Sequence, residues 1–360
     1  MTPVQNNTLA EYDVVDMFCG IGGLTHGFIN EGFNVVAGFD TDKTCKYAYE
    51  NNNNATFIRR DIKEIDASDI LPLYRNKNKK ILVGCAPCQP FSNLTNKQKV
   101  NSKKWDLLYY FSDLIVNVMP EIISMENVPN LMKFNNGSVF KDFILKLEAN
   151  GYFLWHAIIN CPNYGIPQNR KRLVLLGSRL CPINIIPPTH NKDNYETVAD
   201  TIKYLEHIDD GMSSLKDPLH RAVKLSPLNI KRLKATAEGG SWKDWDDSLI
   251  LNCHKKTSGK SYGSVYGRML WNEPSPTMTT FCTGIGNGRF GHPQQDRAIS
   301  LREAALLQTF PHDYNFIDPK IGLKPSIIAR HIGNAVPVTL GSVIARSIHS
   351  HLKENDEFEK

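Results

Sequence analysis

The feature that most constrains this chain is its first half, where short apolar segments alternate with helix-forming ones. Tyr12 to Phe18 reads as a strand, followed by a glycine-rich turn and a helix to about Asn30. Gly32 stops that helix, and Asn34 to Phe39 is a second strand ending at Asp40. A helix from about Lys43 to Asn51 leads through an asparagine run to a third strand, Thr56 to Arg59. Lys80 to Gly84 and Glu121 to Met125 are further strands, and Ser138 and Gly151 bracket a helix as its start and stop signals. Tyr152 to Asn160 and Arg172 to Gly177 complete the set. Strands separated by helices predict an α/β fold with a parallel, doubly wound sheet.

The character changes after Leu180. Pro182, Pro187 and Pro188 crowd together, residues 192–240 give weak amphipathic helix signals, and residues 249–297 read as short strands and loops. Order returns at Ser300, which with Glu303 forms a capping box opening a helix to about Gln308. Val338 to His349 is a final helix. A chain of 360 residues has room for one large domain and a smaller one. The expected division is a first domain of 1–183 completed by 324–360, and a second of 184–323.

Hydrophobic residues make up 41% and charged residues 22%, an ordinary balance for a globular enzyme. No run approaches the roughly 20 apolar residues of a membrane span, and Met1 to Glu11 has no signal-peptide core, so a cytoplasmic location without a membrane partner is expected. The net charge of +5 permits a nucleic-acid partner without requiring one. The eight cysteines show no disulfide framework. Cys85 and Cys88 form a Cys-x-x-Cys, but no second pair stands at zinc spacing, so no metal is expected.

Four sites carry chemistry. In Asp16-Met17-Phe18-Cys19-Gly20-Ile21-Gly22-Gly23 a strand runs into glycines that open a helix, leaving backbone N–H groups free for a ligand. Asp40 ends the next strand twenty positions after Gly20, where a nucleotide-binding fold places an acid on the ribose hydroxyls. A tight turn and a surface aspartate also fit. The pattern falls short of Gly-x-Gly-x-x-Gly, which favours a small adenosine-bearing ligand over a dinucleotide. The second site, Gly84-Cys85-Ala86-Pro87-Cys88-Gln89-Pro90-Phe91-Ser92, follows a strand, and its prolines stiffen the turn that presents the Cys88 thiol. Glu126-Asn127-Val128-Pro129, at another strand end, offers a carboxylate near that loop if the strands are neighbours. Gln168-Asn169-Arg170-Lys171-Arg172 alone reads as a solvated basic turn.

Taken together, and with Arg302-Glu303-Ala304, Gln308-x-Phe310-Pro311 and Gly333-Asn334-Ala335-Val336-Pro337, these motifs resemble the DNA cytosine C5-methyltransferase family in order and spacing. The resemblance spans about Val14 to Ala345. Cys19 stands where a small Ala or Ser is expected. The resemblance implies a Rossmann-like S-adenosylmethionine-dependent methyltransferase fold with a smaller target-recognition domain. It implies that Cys88 is the nucleophile, that Glu126 serves N3 of the cytosine, and that Arg170 and Arg172 lie near the base carbonyl and catalytic loop. Phe18, Gly20, Gly22, Gly23, Asp40, Asp61, Ile62, Pro87 and Asn334 would hold S-adenosylmethionine, leaving S-adenosylhomocysteine as product.

The implied partner is double-stranded DNA, bound by a monomer acting apart from any cognate restriction endonuclease. A cytosine in a duplex hides C6, so the base must be flipped out, at a cost of a few kcal/mol. Ser92, Lys97, Lys99, Gln168, Arg268 and Arg289 are candidate DNA contacts. The basic excess of residues 184–299 suits phosphate contacts.

Three other readings compete. A tRNA-methylating branch shares the catalytic motifs but carries Cys-Phe-Thr, where this chain has Thr280-Phe281-Cys282-Thr283. A non-catalytic DNA binder would not need Cys88, Glu126, Arg170 and Arg172 together. A Rossmann oxidoreductase is disfavoured by the incomplete dinucleotide fingerprint.

Overall fold

The computed structural model describes residues 8–75, 79–87, 106–257, 259 and 262–358. The chain divides into two compact units, one of Met1–Asn160, Lys171–Pro188 and Val336–Lys360, the other of Cys161–Arg170 and Thr189–Ala335. The boundaries of these units fall at 160/161, 170/171, 188/189 and 335/336, beside the expected divisions at 183/184 and 323/324. Hydrogen bonds mark the boundary at 188/189. Ile186 N donates to Ser347 Oγ across 3.0 Å within the first unit, whereas Thr189 N and His190 N donate to Asn163 O in the second.

The first unit is built on a seven-stranded sheet in the order β3-β2-β1-β4-β5-β8-β6. Its strands are β1 (Tyr12–Met17), β2 (Asn34–Asp40), β3 (Thr56–Arg59), β4 (Lys79–Gly84), β5 (Ile122–Asn127), β6 (Phe153–Asn160) and β8 (Lys171–Ser178), while β7 (Gln168–Asn169) belongs to the second unit. Every residue of β1 and β5 is buried, as befits central strands covered on both faces. The four pairings among β3, β2, β1, β4 and β5 are parallel, but β8 runs antiparallel to both β5 and β6. The parallel expectation thus holds for β1 to β5, and β8 departs from it. No crossover helix separates β6 from β8, and a parallel return needs one.

Helices α1 (Gly23–Asn30), α2 (Lys46–Asn53), α3 (Ala67–Ile70), α4 (Asp106–Val118) and α5 (Ser138–Glu148) follow the strands. Phe111, Leu114 and Ile115 of α4 and Phe143 and Leu147 of α5 share one buried cluster with Leu82, Ile123 and Met125 of the sheet. Burying such side chains contributes about 1.5–3 kcal/mol each.

The second unit holds α6 (Val198–Ile202), α7 (Pro227–Lys234), α8 (Asn252–Lys255), α9 (Leu301–Leu307), α10 (Pro325–Asn334) and a parallel pair of β7 with β9 (Ser275–Pro276). Short elements leave many backbone groups unpaired, and buried polar side chains satisfy them. Ser300 caps α9 as expected, and Glu303 returns the bond to Ser300 N. Glu303 also accepts both Arg297 Nη1 and Nη2 at 2.7 Å.

The chain then returns to the first unit as α11 (Val338–Phe358), which packs on α1. A Cβ on Gly27 would come within 2.5 Å of Gly341 C, so glycine is what lets these two helices meet. By length and composition Pro325–Glu357 is apolar enough to cross a membrane, yet 72% of its most apolar window is buried. Leu340, Val343, Ile344 and Ile348 face the core.

Candidate active site

The parallel strands of the first unit place their carboxyl ends along one edge, antiparallel β8 adds its amino end there, and two clusters form. The first surrounds the glycine turn. Met17 ends β1, Phe18 takes the left-handed region at φ 61°, and Gly20 and Gly22 follow at φ 53° and 90°. Gly22 is the N-cap of α1 and Gly23 its first residue. A Cβ on Gly20 would meet nothing within 4 Å, so the turn borders open space. Asp40 fixes the turn, accepting Gly20 N on Oδ2 at 2.9 Å and Asp42 N on Oδ1 at 2.8 Å. Burial holds the Asp40 carboxyl above the usual carboxylate range despite those bonds.

A pocket of about 320 Å³ opens beside this turn. Phe18, Asp40, Asp61, Ile62 and Pro87 line it, all five expected at the donor site. Met17, Phe39, Thr41, Arg60, Lys63 and Leu107 line it too and were not foreseen. The apolar walls suit a flat heterocycle. Asp40 and Asp61 both line it, offering acceptors to hydroxyl or amino groups. The chemistry of the lining therefore fits an adenosine-bearing ligand. Asn334, expected here as well, is the exposed last residue of α10 in the second unit.

The second cluster lies at the ends of β4, β5 and β8. Glu126 is buried, and Arg172 Nε stands 2.9 Å from Glu126 Oε1, close enough for a charge contact though poorly aligned for a hydrogen bond. The antiparallel register produces this meeting. Asn127 faces Leu173, so Arg172 falls one position beyond the β5 end. Asn127 Nδ2 donates to Ala86 O across 3.1 Å, tying β5 to the loop after β4. Sequence reading had Asn127 only as a motif letter and assigned it no task.

Cys88, Ser92, Lys97 and Lys99 lie outside the described residues. The described Pro87 and Ala86 show where the chain enters that loop: one lines the pocket, the other is held by Asn127. Cys85, the other half of the Cys-x-x-Cys, is poorly suited to nucleophilic attack. Burial first, then the Glu126 and Asp16 carboxylates, push its thiol well above the ordinary range.

The remaining expected residues belong to the second unit, where the structure gives them packing roles. Arg170 is buried and donates to Met278 O at 3.1 Å and Ala335 O at 3.2 Å. Gln168 is fully buried, donating to Leu307 O and Gln308 Oε1 and accepting from Met278 N. Arg268 is buried too. Its guanidinium donates to the carbonyls of Leu233, Thr236, His292 and Gln295 and pairs with Asp296. Arg289 is half-buried, with Nη1 on Gly239 O. The polar groups of Gln168 and Arg268, both expected as DNA contacts, are engaged here by backbone carbonyls and neighbouring side chains away from solvent.

The model of C-5 cytosine-specific DNA methylases matches residues 12–350. The chain belongs to the C-5 cytosine-specific DNA methylase family. It is 55% identical to the type II methylase M.HgiDII of Herpetosiphon aurantiacus over 340 residues, covering 94% of this chain and 96% of that protein. It is 30% identical to the type II methyltransferase M1.BsuMI of Bacillus subtilis, with 94% and 80% covered. Its fold matches a DNA modification methyltransferase encoded within an E. coli prophage, with a TM-score of 0.74, 20% identity, and 95% and 99% of the chains covered. The Entamoeba histolytica methyltransferase EhMeth matches at a TM-score of 0.67 and 18% identity, with 95% and 99% covered. As a member of this family the chain is a DNA (cytosine-5)-methyltransferase of the type II modification class, and it uses S-adenosylmethionine. The oxidoreductase and non-catalytic readings fall with that assignment.

Proposed function

We propose that this methyltransferase modifies a flipped-out cytosine within a specific double-stranded DNA sequence through a covalent bond between Cys88 Sγ and C6. The observation that carries the reading is the position of Pro87. It lines the donor pocket, immediately precedes Cys88, and follows an alanine bound to the strand that bears Glu126.

Cytosine C5 is a weak nucleophile, and adding a thiolate at C6 activates it. The Cys88 thiolate forms the S–C6 bond, and the electron pair of the C5–C6 double bond shifts toward N3. Glu126 supports the proton at N3 that stabilises this charge, held in place by Arg172. When bound, S-adenosylmethionine supplies an electrophilic methyl group on a sulfonium sulfur, and the residues suited to hold it are Phe18, Asp40, Asp61, Ile62 and Pro87. The Gly20–Gly23 turn leaves space for it and presents the N-terminus of α1. Once C5 carries the methyl group, water takes its proton, the C–H pair re-forms the C5–C6 double bond, and the S–C6 pair returns to Cys88 Sγ. The second unit, with its short elements and loops, serves as the target reader. The enzyme works as a cytoplasmic monomer that needs no metal and acts apart from a partner endonuclease.

DNA carrying 5-fluorocytosine at the target tests the covalent route, because fluorine cannot leave as a cation and the adduct persists. With S-adenosylmethionine present, the full chain should form a band of raised mass on a denaturing gel, and peptide mass spectrometry should place the link on Cys88. Cys88→Ser should abolish the band and Cys85→Ser should keep it. A link mapped to Cys85, or a band surviving in Cys88→Ser, overturns the assignment. The same assay with tRNA as substrate should give no adduct.

A further inference from the structure

Asp16 is a charged residue in the fully buried strand β1, and none of the chemistry above uses it. Thr25 Oγ1 of α1 donates to its Oδ2 at 2.7 Å. Its Oδ1 is buried with no hydrogen-bond partner among the described residues. The groups facing it from each packed element are Thr25 on α1, Tyr49 on α2 acting through Thr25 Oγ1, Asp40 at the end of β2, Cys19 in the turn, and Cys85 after β4. None of these is a cation. A buried carboxylate without a cation costs the fold several kcal/mol and calls for a reason to persist.

Its place supplies the reason. Asp16 sits two residues before Phe18, in the strand that runs into the glycine turn bordering the pocket. The donor carries a positive sulfonium, and the product left after methyl transfer does not. We propose that Asp16 is a positioning residue whose buried carboxylate, faced by no cation among the described residues, makes the pocket hold the positively charged donor more tightly than its neutral product. The proposal rests on the reading of the Phe18–Ile62 pocket as the donor site. Asp16 acts through the turn rather than by touching the ligand.

Burial, with Asp40 adding to it, pushes the Asp16 carboxyl up to about 7. Near neutral pH the empty pocket therefore carries Asp16 partly protonated. A positive charge in the pocket favours the ionised form, so donor binding expels a proton and weakens as pH falls below 7. The neutral product does this to a smaller extent.

Calorimetric titration of the full chain at pH 6.5, in two buffers of different ionisation enthalpy, counts those protons. S-adenosylmethionine should release more protons than S-adenosylhomocysteine. In Asp16→Asn the excess should vanish and donor affinity should fall about tenfold, the effect of one pKa unit, with product affinity nearly unchanged. Thr25→Val keeps the carboxylate but removes a donor that stabilises its ionised form, so proton release should move to higher pH. Equal proton release by the two ligands, or equal affinity losses in Asp16→Asn, overturns the proposal. Failure of the unaltered chain to bind either ligand overturns the donor-pocket reading instead.

Discussion

Asn127 spans from the end of β5 to the carbonyl of Ala86, 3.1 Å away, while its own Oδ1 accepts Val128 N at 2.9 Å. One buried carboxamide thus links the strand that carries Glu126 to the chain that delivers Cys88. Asn127→Ala should release that chain and lower kcat by about 10²-fold, the scale of a misplacement near 1 Å. Donor affinity should stay within about twofold, since the hydrogen bond does not border the pocket floor. Single-turnover methylation and donor calorimetry separate the two effects.

Arg172 should matter through Glu126. With Arg172→Ala, Glu126 is left buried without its cation, a loss that costs about 3–5 kcal/mol when the pair is fully enclosed. Methylation should drop at least about 10²-fold, since the effect falls on transition-state charge. Arg172→Lys should recover only part, because an ammonium cannot reproduce the planar approach of Nε. Single-turnover rates on one duplex substrate provide the measurement.

Asp40 has two tasks, which sharpens the expected effect of its removal. Asp40→Ala should weaken S-adenosylmethionine binding by about 1.5–3 kcal/mol, the worth of hydrogen bonds to a charged group. It also frees Gly20 N and Asp42 N. Asp40→Asn restores an acceptor to one of these amides, so its affinity should lie between those of Asp40→Ala and the unaltered chain. Unchanged donor affinity in a folded Asp40→Ala protein would remove Asp40 from the site.

Arg268→Ala should unfold or loosen the second unit rather than alter the salt dependence of DNA binding. Thr236 O and His292 O would lose their donor, each left at a cost of about 1–3 kcal/mol, and Leu233 O and Gln295 O would keep only the backbone amides of Thr236 and Arg297. A phosphate contact predicts the reverse pattern, an unchanged melting transition with a salt slope reduced by about one. Thermal melting beside a salt titration of DNA affinity tells them apart.

Glu303 makes the second unit sensitive to acid. Although burial opposes it, the Arg297 bonds pull its carboxyl down to about 2 from the ordinary 4.5. The stability from this pair is fully present above pH 4.5 and lost as pH falls toward 2, an amount of about 3 kcal/mol. Buried His292, held down to about 4, adds a loss of the same sign between 6.5 and 4. Urea midpoints should therefore fall steadily from pH 6.5 downward. Glu303→Gln should lower the midpoint at neutral pH and flatten its decline below pH 4.5.

Much of the first unit was legible because its signals are local. The glycine turn, Asp40, Glu126 and the strands that carry them declare themselves through spacing and strand ends. The reversal of β8 was not legible, since direction depends on how the β6–β8 link is routed and not on the strand's own residues. Helix α4 escaped notice beside a polar stretch, although its Leu108, Phe111, Leu114 and Ile115 are buried. Arg268 and Gln168 were opaque for another reason. Counting basic and amide groups cannot tell a side chain that faces phosphate from one capping carbonyls inside the fold. Asp16 was visible as an acid in an apolar strand, but that no cation faces it among the described residues is a three-dimensional fact.

The packing of α11 against α1 has a consequence for how the enzyme is made. A ribosome delivers β1 and α1 first, and their partner Val338–Phe358 emerges only after the whole second unit. Every chemical motif of the first unit thus leaves the exit tunnel while its supporting helix is still untranslated. Contacts between such distant segments slow folding, because the intervening chain must be closed first. A nascent or prematurely terminated polypeptide consequently carries the reactive parts without the scaffold that aligns them. Methylating activity should therefore appear only once Val338–Phe358 has been synthesised and can pack on α1.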